Sequence, residues 1–337
     1  MAEPSDELMP GARTAIVQCL NVGPEDRVFI LTEEASQPIA DALASAARER
    51  GAAQVTVRTL EEFGARPLVA VPDGLMEAMR AAHPTVSIYA AGGQPGEIRF
   101  RIPFGAFMRS ELRVRHGHMI GITPELMRTG MTADYRRVAE LTTLVNERVV
   151  SAREIHVEGP GGTNFTVTLD PEERRWVPCT GIYHQQGDWG NLPEGETFTA
   201  PAGAEGTIAA SLLGDYFSAK YGLLDQPLLF HLANGAVVRI EHADEEMARE
   251  VWDYLNSSEN GRRVGEFAIG TNETLTELTG NLLQDEKYPG VHVAFGNPYP
   301  DRTGANWSSE VHVDVIPLDV SIRVDGEWIM RDGTFLI

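Results

Sequence analysis

The sequence predicts an α/β N-terminal domain with a mainly parallel sheet over residues 1–150. An α+β, antiparallel-sheet-rich domain is predicted to follow over 151–337. Three observations carry this reading. Through the first 150 residues, short apolar runs alternate with segments of helical period, the order that builds a parallel sheet. From residue 151, alternating segments meet in pairs at GPGG, Asn-Gly and Asp-Gly, which mark antiparallel hairpins. Finally, 337 residues exceed what a single hydrophobic core usually serves.

The elements follow in order. RVFILT (27–32) is an apolar strand, and SQPIADALASAARERG is a helix with Ile39, Leu43, Ala46 and Ala47 at helical spacing and Gly51 as its stop. AQVTVRTL is the next strand, DGLMEAMRAA a helix, and TVSIYAAG and HGHMIGIT two further strands. A dinucleotide would need GxGxxG after the first strand, but the residues after Thr32 run EEASQ, so this domain reads as a scaffold or a substrate-shaping unit. His116 and His118 could share a strand face, yet Arg113 and Arg115 would repel a cation there; they read as surface or inter-domain residues. TADYRRVAELTTLVNERVVSA is a long amphipathic helix with Tyr135, Val138, Leu141, Val145 and Val149 on one stripe. In the second half, EIHVEGPGGTNFTVTLD, PLLFHLANGAVVRIEH and VSIRVDGEWIMRDGTFLI read as hairpins, and DEEMAREVWDYLNSS as a helix between them.

Composition narrows the function. A formal net charge of −21 argues against a nucleic-acid partner, because phosphate binding needs a basic surface. The two cysteines, Cys19 and Cys179, fit neither a disulfide framework nor a CxxC zinc site. The opening MAEPSDELMPG lacks the pattern of a signal peptide and no apolar run reaches membrane-span length, so a cytoplasmic protein with no membrane partner is expected.

The residues that ask for an explanation lie in the second half. VHVAFG and VHVD place His292, His312 and Asp314 among apolar residues, and His312 and Asp314 share a strand face because the side-chain period is two. Glu196 sits beside Gly195 in WGNLPEGETFTAP, and Glu266 beside Gly265 in GEFAIGTN. Buried polar groups on strands need compensation, and one shared cation would supply it to all of them. Imidazole and carboxylate suit Zn, Mn, Co or Fe.

The motifs NLPEGETFTAP, GEFAIGTN, VHVAFGNPY and EVHVD occur in that order. With them the chain resembles the M29 metallopeptidases, the family of thermophilic aminopeptidase T and aminopeptidase S. The resemblance implies two divalent ions (Zn, Co or Mn) held by Glu196, Glu266, His292, His312 and Asp314. It also implies a tyrosine seven residues after the third-motif histidine, here Tyr299, whose phenol would donate to an oxyanion. A homodimer is a further implication. The chain is shorter than the typical peptidase, mainly in its first half, and looks like a short branch also similar to 2,5-dihydroxypyridine 5,6-dioxygenases. Those enzymes open a pyridine ring at a single Fe(II) held by two histidines and one carboxylate.

The expectation is therefore a metal-dependent aminopeptidase or related amide hydrolase acting on a short peptide or small molecule. A metal-activated water would attack, with Glu266 or Glu196 moving the proton. The alternative is an Fe(II)-dependent ring-cleaving dioxygenase built on His292, His312 and Asp314. His184, Asp188 and Trp189 in GIYHQQGDWGN are candidate pocket residues, Asp188 for a substrate amine. Arg302 in NPYPDRTGANWSS is a candidate carboxylate clamp.

Overall fold

A central strand that is buried on both faces organises the N-terminal part. The computed structural model describes residues 5–94, 96–214 and 216–337. In it Val86–Ala91 is buried along its whole length, as a strand covered on both faces must be. Its sheet runs in the order Gln54–Thr59, Arg27–Thr32, Val86–Ala91, Arg115–Ile120, Trp189–Asn191, with every pairing parallel. The helix Gln37–Glu49 buries Ile39, Ala40, Leu43, Ala46 and Ala47, and Gly51 at φ +78° takes the left-handed position that ends it. Sequence reasoning missed the helix Ile98–Ala106, which carries Pro103 in its interior, a residue that normally argues against a helix.

The chain divides into two units. One comprises residues up to Arg137 together with Gly181–Glu194; the other comprises Val138–Thr180 and Gly195–Ile337. The expected division at 150/151 thus moves into the helix Tyr135–Val149. Leu141, Val145 and Val149 of that helix join the core of the second unit. Gly181–Glu194 belongs with the first because Trp189–Asn191 extends the parallel sheet beside Arg115–Ile120.

His116 is not a surface residue. It is 1% exposed, its Nδ1 lies 2.7 Å from Ser87 Oγ, and its Nε2 lies 3.3 Å from His118 Nδ1. The His118 ring stacks on Tyr89 at 4.9 Å. Burial lowers the pKa of His116 to about 4 and holds His118 well below its ordinary value, so both rings stay neutral near neutral pH.

The first unit also contains a buried ion network. Arg66 reaches both oxygens of Glu97 (2.8 and 2.6 Å), contacts Glu33 and donates to the Gly92 carbonyl at 2.6 Å. Burial alone would raise the Glu97 pKa. The Arg66 hydrogen bonds and charge, with backbone N–H donors from Leu68 and Gln94, instead lower it. A depressed carboxylate contributes stability above its unfolded pKa and loses it as pH falls through the folded value. Glu97→Gln is therefore expected to cost about 1–3 kcal/mol at neutral pH. That gap should narrow in acid, as pH falls through the depressed folded value and the wild-type carboxylate also protonates. Denaturant unfolding of both proteins at the two pH values measures it, and a gap that persists undiminished in acid contradicts the ionic origin.

The second unit holds two antiparallel sheets. The eight-stranded one runs in the order Ala236–Glu241, Leu228–Ala233, Gly203–Ala210, Asn164–Thr168, Glu154–Glu158, Ser321–Val324, Glu327–Arg331, Thr334–Phe335. The six-stranded one runs Leu212–Leu213, His312–Ile316, Gly290–Gly296, Val264–Gly270, Glu196–Thr199, Val177–Cys179. The expected hairpins are present, with Asn234-Gly235, Asp325-Gly326 and Asp332-Gly333 all at positive φ, as tight antiparallel turns require. Apolar faces of the two sheets meet in one core, where Phe230 stacks on Phe295 at 5.1 Å and Phe165 meets Phe267 edge-on at 6.3 Å.

Candidate metal centre

The site lies on the opposite face of the six-stranded sheet, and strand alternation places it there. In Gly290–Gly296, Val291, Val293 and Phe295 enter the core, which leaves His292, Ala294 and Gly296 on the other face. In His312–Ile316, Val313 and Val315 enter the core while His312 and Asp314 share the site face. Register then aligns the neighbours: Ala294 lies opposite both Glu266 and Asp314, Ala268 opposite His292, Gly270 opposite Glu196, and Gly296 opposite His312. Polar ligands thus alternate across strands with the small Ala268 and Ala294 and with Gly270 and Gly296, where the Tyr288 and Val311 carbonyls approach too closely for any Cβ. The face is a cradle.

Glu266 reaches it through a bulge. The pairing shifts between Val264 and Glu266, so the extra residue Gly265 turns Glu266 away from the core that Val264 occupies. A Cβ on Gly265 would stand 2.6 Å from the Gly296 carbonyl oxygen, so only glycine fits this bend.

The donor atoms converge. His292 Nε2 lies 3.4 Å from Glu266 Oε1, 3.6 Å from Glu196 Oε2 and 3.8 Å from Asp314 Oδ1. His312 Nε2 lies 3.8 Å from Glu266 Oε2 and 3.7 Å from Asp314 Oδ1. Two donors bound about 2.1 Å from one tetrahedral ion stand about 3.4 Å apart, so these separations are near those of a common coordination sphere. Both imidazoles are oriented from behind: His292 Nδ1 lies 3.0 Å from the Glu286 carbonyl and His312 Nδ1 3.0 Å from that of Asn297. A carbonyl only accepts, so each Nδ1 carries a proton and each ring turns Nε2, the atom that would ligate an ion, toward the carboxylates.

The residues fit a cation. Glu196, Glu266, His292 and Asp314 are each at most 6% exposed. Among the described residues, Glu196 Oε2 and Glu266 Oε2 are buried without a hydrogen-bond partner, a cost that a coordinated ion removes. Glu196, Glu266 and His292 form one candidate ligand group, and Glu286, His292 and Asp314 another. Burial would lower the His292 pKa, but the Glu266 hydrogen bond and the fields of Glu196, Asp314 and Glu266 push it up to about 10. The same opposition, with Asp314 and Glu266 prevailing, raises His312. These are the signs of a site with surplus negative charge.

Two participants were not read from the sequence. Lys287, 0% exposed, contacts Glu196 Oε1 at 2.7 Å and Glu286 Oε1 at 2.8 Å. Glu286-Lys287 follows the short helix Leu282–Asp285, where a charged pair looks like an ordinary solvated turn. Nothing local marks it as buried.

Tyr299 stands at the edge of the cluster. Its ring is 4.8 Å from that of His312 and 6.0 Å from that of Phe198. Its backbone is left-handed (φ +49°), a costly conformation for a tyrosine, held by Asn297 Oδ1 on its N–H and by Arg302 and Thr303 N–H groups on its carbonyl. Desolvation, then Glu266 and Asp314, raise the phenol pKa well above its usual value, so it remains a donor at neutral pH. The Arg302 guanidinium lies over the Phe198 ring at 4.8 Å and helps to lower the Glu196 pKa. The remaining sequence candidates belong to the first unit and are engaged there. His184 Nε2 lies 2.7 Å from the Gln18 carbonyl, Asp188 Oδ2 accepts from the Gln185 N–H at 2.7 Å, and Trp189 carries the Arg109 guanidinium over its ring at 4.4 Å. GIYHQQGDWGN is therefore not purely a loop, since Trp189–Asn191 is a sheet strand.

Enlarging a cradle residue tests this arrangement. Ala294→Leu would push a larger side chain between Glu266 and Asp314, and overpacking of about 1–3 kcal/mol corresponds to a loss of about tenfold or more in metal affinity. Calorimetric titration of the metal-stripped protein with Zn or Mn measures it. Unchanged affinity would remove the cradle from the argument.

A sheet face with buried carboxylates and histidines around a common point defines a protein built to bind a divalent metal. The chain belongs to the thermophilic metalloprotease (M29) family, whose profile matches residues 133–335. Among solved structures, wild-type AmpT from Thermus thermophilus is similar over 98% of this chain and 99% of its own, with a TM-score of 0.71 and 20% identity. The 2,5-dihydroxypyridine dioxygenase from Pseudomonas putida KT2440 is similar over 100% of this chain and 98% of its own, with a TM-score of 0.70 and 16% identity. At such identities the likeness is one of fold. No curated protein sequence matches the chain. Among the described residues, no helix is long and apolar enough to cross a membrane.

Proposed function

We propose that the protein is a metal-dependent amide hydrolase, an aminopeptidase acting on short peptides or a related small amide. The observation that carries this reading is the surplus of carboxylates: among the described residues, Glu196 Oε2 and Glu266 Oε2 are buried without a hydrogen-bond partner, the first 3.6 Å from His292 Nε2 and the second 3.8 Å from His312 Nε2. A two-histidine, one-carboxylate site needs neither glutamate. When bound, a divalent ion supplies Lewis-acid polarisation of a carbonyl and activation of a water. Glu266, between the two histidines, takes the proton of the attacking water and returns it to the leaving amine. Tyr299 donates its phenol proton in a hydrogen bond to the developing oxyanion, and Arg302 holds a carboxylate of the substrate.

One observation favours a second reading. Asp314 Oδ1 lies within 3.8 Å of both His292 and His312 Nε2, the set that a mononuclear Fe(II) oxygenase uses. The deciding experiment purifies the protein anaerobically and loads it separately with Zn, Mn, Co or Fe(II). Each form is then assayed on aminoacyl-nitroanilides and on 2,5-dihydroxypyridine with oxygen uptake recorded. Oxygen-independent amide cleavage supports hydrolysis; oxygen uptake with Fe(II) alone, without amide cleavage by any form, overturns it.

A further inference from the structure

We propose that Trp307 is a positioning residue of the metal centre: its indole N–H locks the peptide between Gly296 and Asn297, against which both Glu266 and His312 are set. The proposal rests on the metal reading above but not on which reaction the site performs. Trp307 lies in NPYPDRTGANWSS, the segment between the ligands, and its Nε1 donates to the Gly296 carbonyl at 3.3 Å. A buried indole N–H normally finds an acceptor, so the bond by itself says little. Which acceptor it takes is what carries the inference.

The Gly296 carbonyl and the Asn297 N–H belong to one peptide plane, and that plane is pinned at both ends. Trp307 holds the oxygen, and the N–H donates to the Val311 carbonyl at 2.8 Å. Two ligands lean on it. The bulge that turns Glu266 toward the site backs so closely onto the Gly296 oxygen that a Cβ on Gly265 would stand 2.6 Å away. Gly296 lies opposite His312, and the next carbonyl, that of Asn297, is the one 3.0 Å from His312 Nδ1. Without the indole donor the plane can tilt, and a tilt moves the bulge and the backing of His312 together. Trp307 itself is fixed. It is 8% exposed, packs with Ala200 and Ala305, and carries two guanidinium groups over its ring, Arg263 at 3.4 Å and Arg174 at 5.5 Å. Arg174 is tied in turn to the Gly304 and Glu173 carbonyls at 3.1 and 3.3 Å, and the Arg263 carbonyl accepts the Gly296 N–H at 2.7 Å.

Trp307→Phe removes the donor and keeps an aromatic ring beside Arg263. Titration of metal-stripped protein with Zn and the visible spectrum of the Co(II)-loaded form read the centre, while denaturant unfolding reads packing. About a tenfold loss of Zn affinity with an altered Co(II) spectrum is expected, the lower end of what partners behind metal ligands contribute. Ala305→Gly thins the same cluster and keeps the N–H, so it is expected to lower stability and leave both metal readouts unchanged. Wild-type affinity and spectrum in Trp307→Phe overturn the proposal. So does an equal loss in Ala305→Gly, because packing alone then explains it. Absence of Zn binding by wild type instead sinks the metal reading, and this proposal with it. Should Trp307→Phe not fold, benzothienylalanine at position 307 keeps the shape of the ring with sulfur in place of the N–H, and the same titration decides in the same way.

Discussion

Asp314→Ala is expected to empty the centre and reduce turnover by about 10³-fold or more. A bound ion supplies several kcal/mol of transition-state stabilisation, and each 1.36 kcal/mol is tenfold in rate. Asp314 is the sensitive position because its Oδ1 is within 3.8 Å of both imidazoles, so its loss weakens the hold on either side. The fold should survive. Residue 314 keeps its ladder partner Ala294 and a Cβ on the site face, and removing one of several crowded carboxylates relieves repulsion in the metal-free protein. Elemental analysis, circular dichroism and steady-state kinetics on the same preparation read the three consequences. Full metal content with normal turnover would remove the core of the functional assignment. Loss of the folded signal would show that Asp314 is needed for architecture instead.

Tyr299→Phe is expected to keep its metal and its KM while losing about 10²–10³ in kcat on an aminoacyl substrate, the usual effect of removing one oxyanion donor. The structure sharpens this expectation. The residue is 42% exposed yet leans on His312, and its backbone is held left-handed by three local hydrogen-bonding partners, Asn297, Arg302 and Thr303. Phenylalanine preserves the ring contacts with His312 and Phe198, so packing should not change. A group that merely filled space would give wild-type kcat. A group that only oriented an aromatic substrate would raise KM instead. Either result counts against amide hydrolysis by this route without touching the metal site.

Much of the site was legible because strand alternation is a local property. VHVAFG and VHVD state in their own period which side chains leave the core, so His292, His312 and Asp314 could be assigned to faces before any partner strand was known. The hairpins were equally local, since Asn-Gly and Asp-Gly carry the positive φ values that their turns need. Glu196 and Glu266 stood out only by their Gly-flanked segments, since no periodicity singles them out, and the family motifs added Tyr299.

What the sequence determined by itself was the two-part order of parallel and antiparallel sheet, the turns, and the faces of individual strands. Tertiary structure alone decided what depends on register and on distant segments. Simple alternation would put Glu266 on the same face as the core residue Val264, and only the bulge at Gly265 sends it to the ligands. Ala268, Gly270, Ala294 and Gly296 become a cradle only once neighbouring strands align them between charged side chains. Gly181–Glu194 joins the parallel sheet through a pairing with Arg115–Ile120, some 70 residues earlier in the chain. Lys287 reads as a solvated charge in its own segment, and its burial arises from Glu196, a residue far away in the chain. Local pattern fixes where a side chain points along its strand. Which charges it meets there is set by long-range pairing, where a one-residue shift reverses every face.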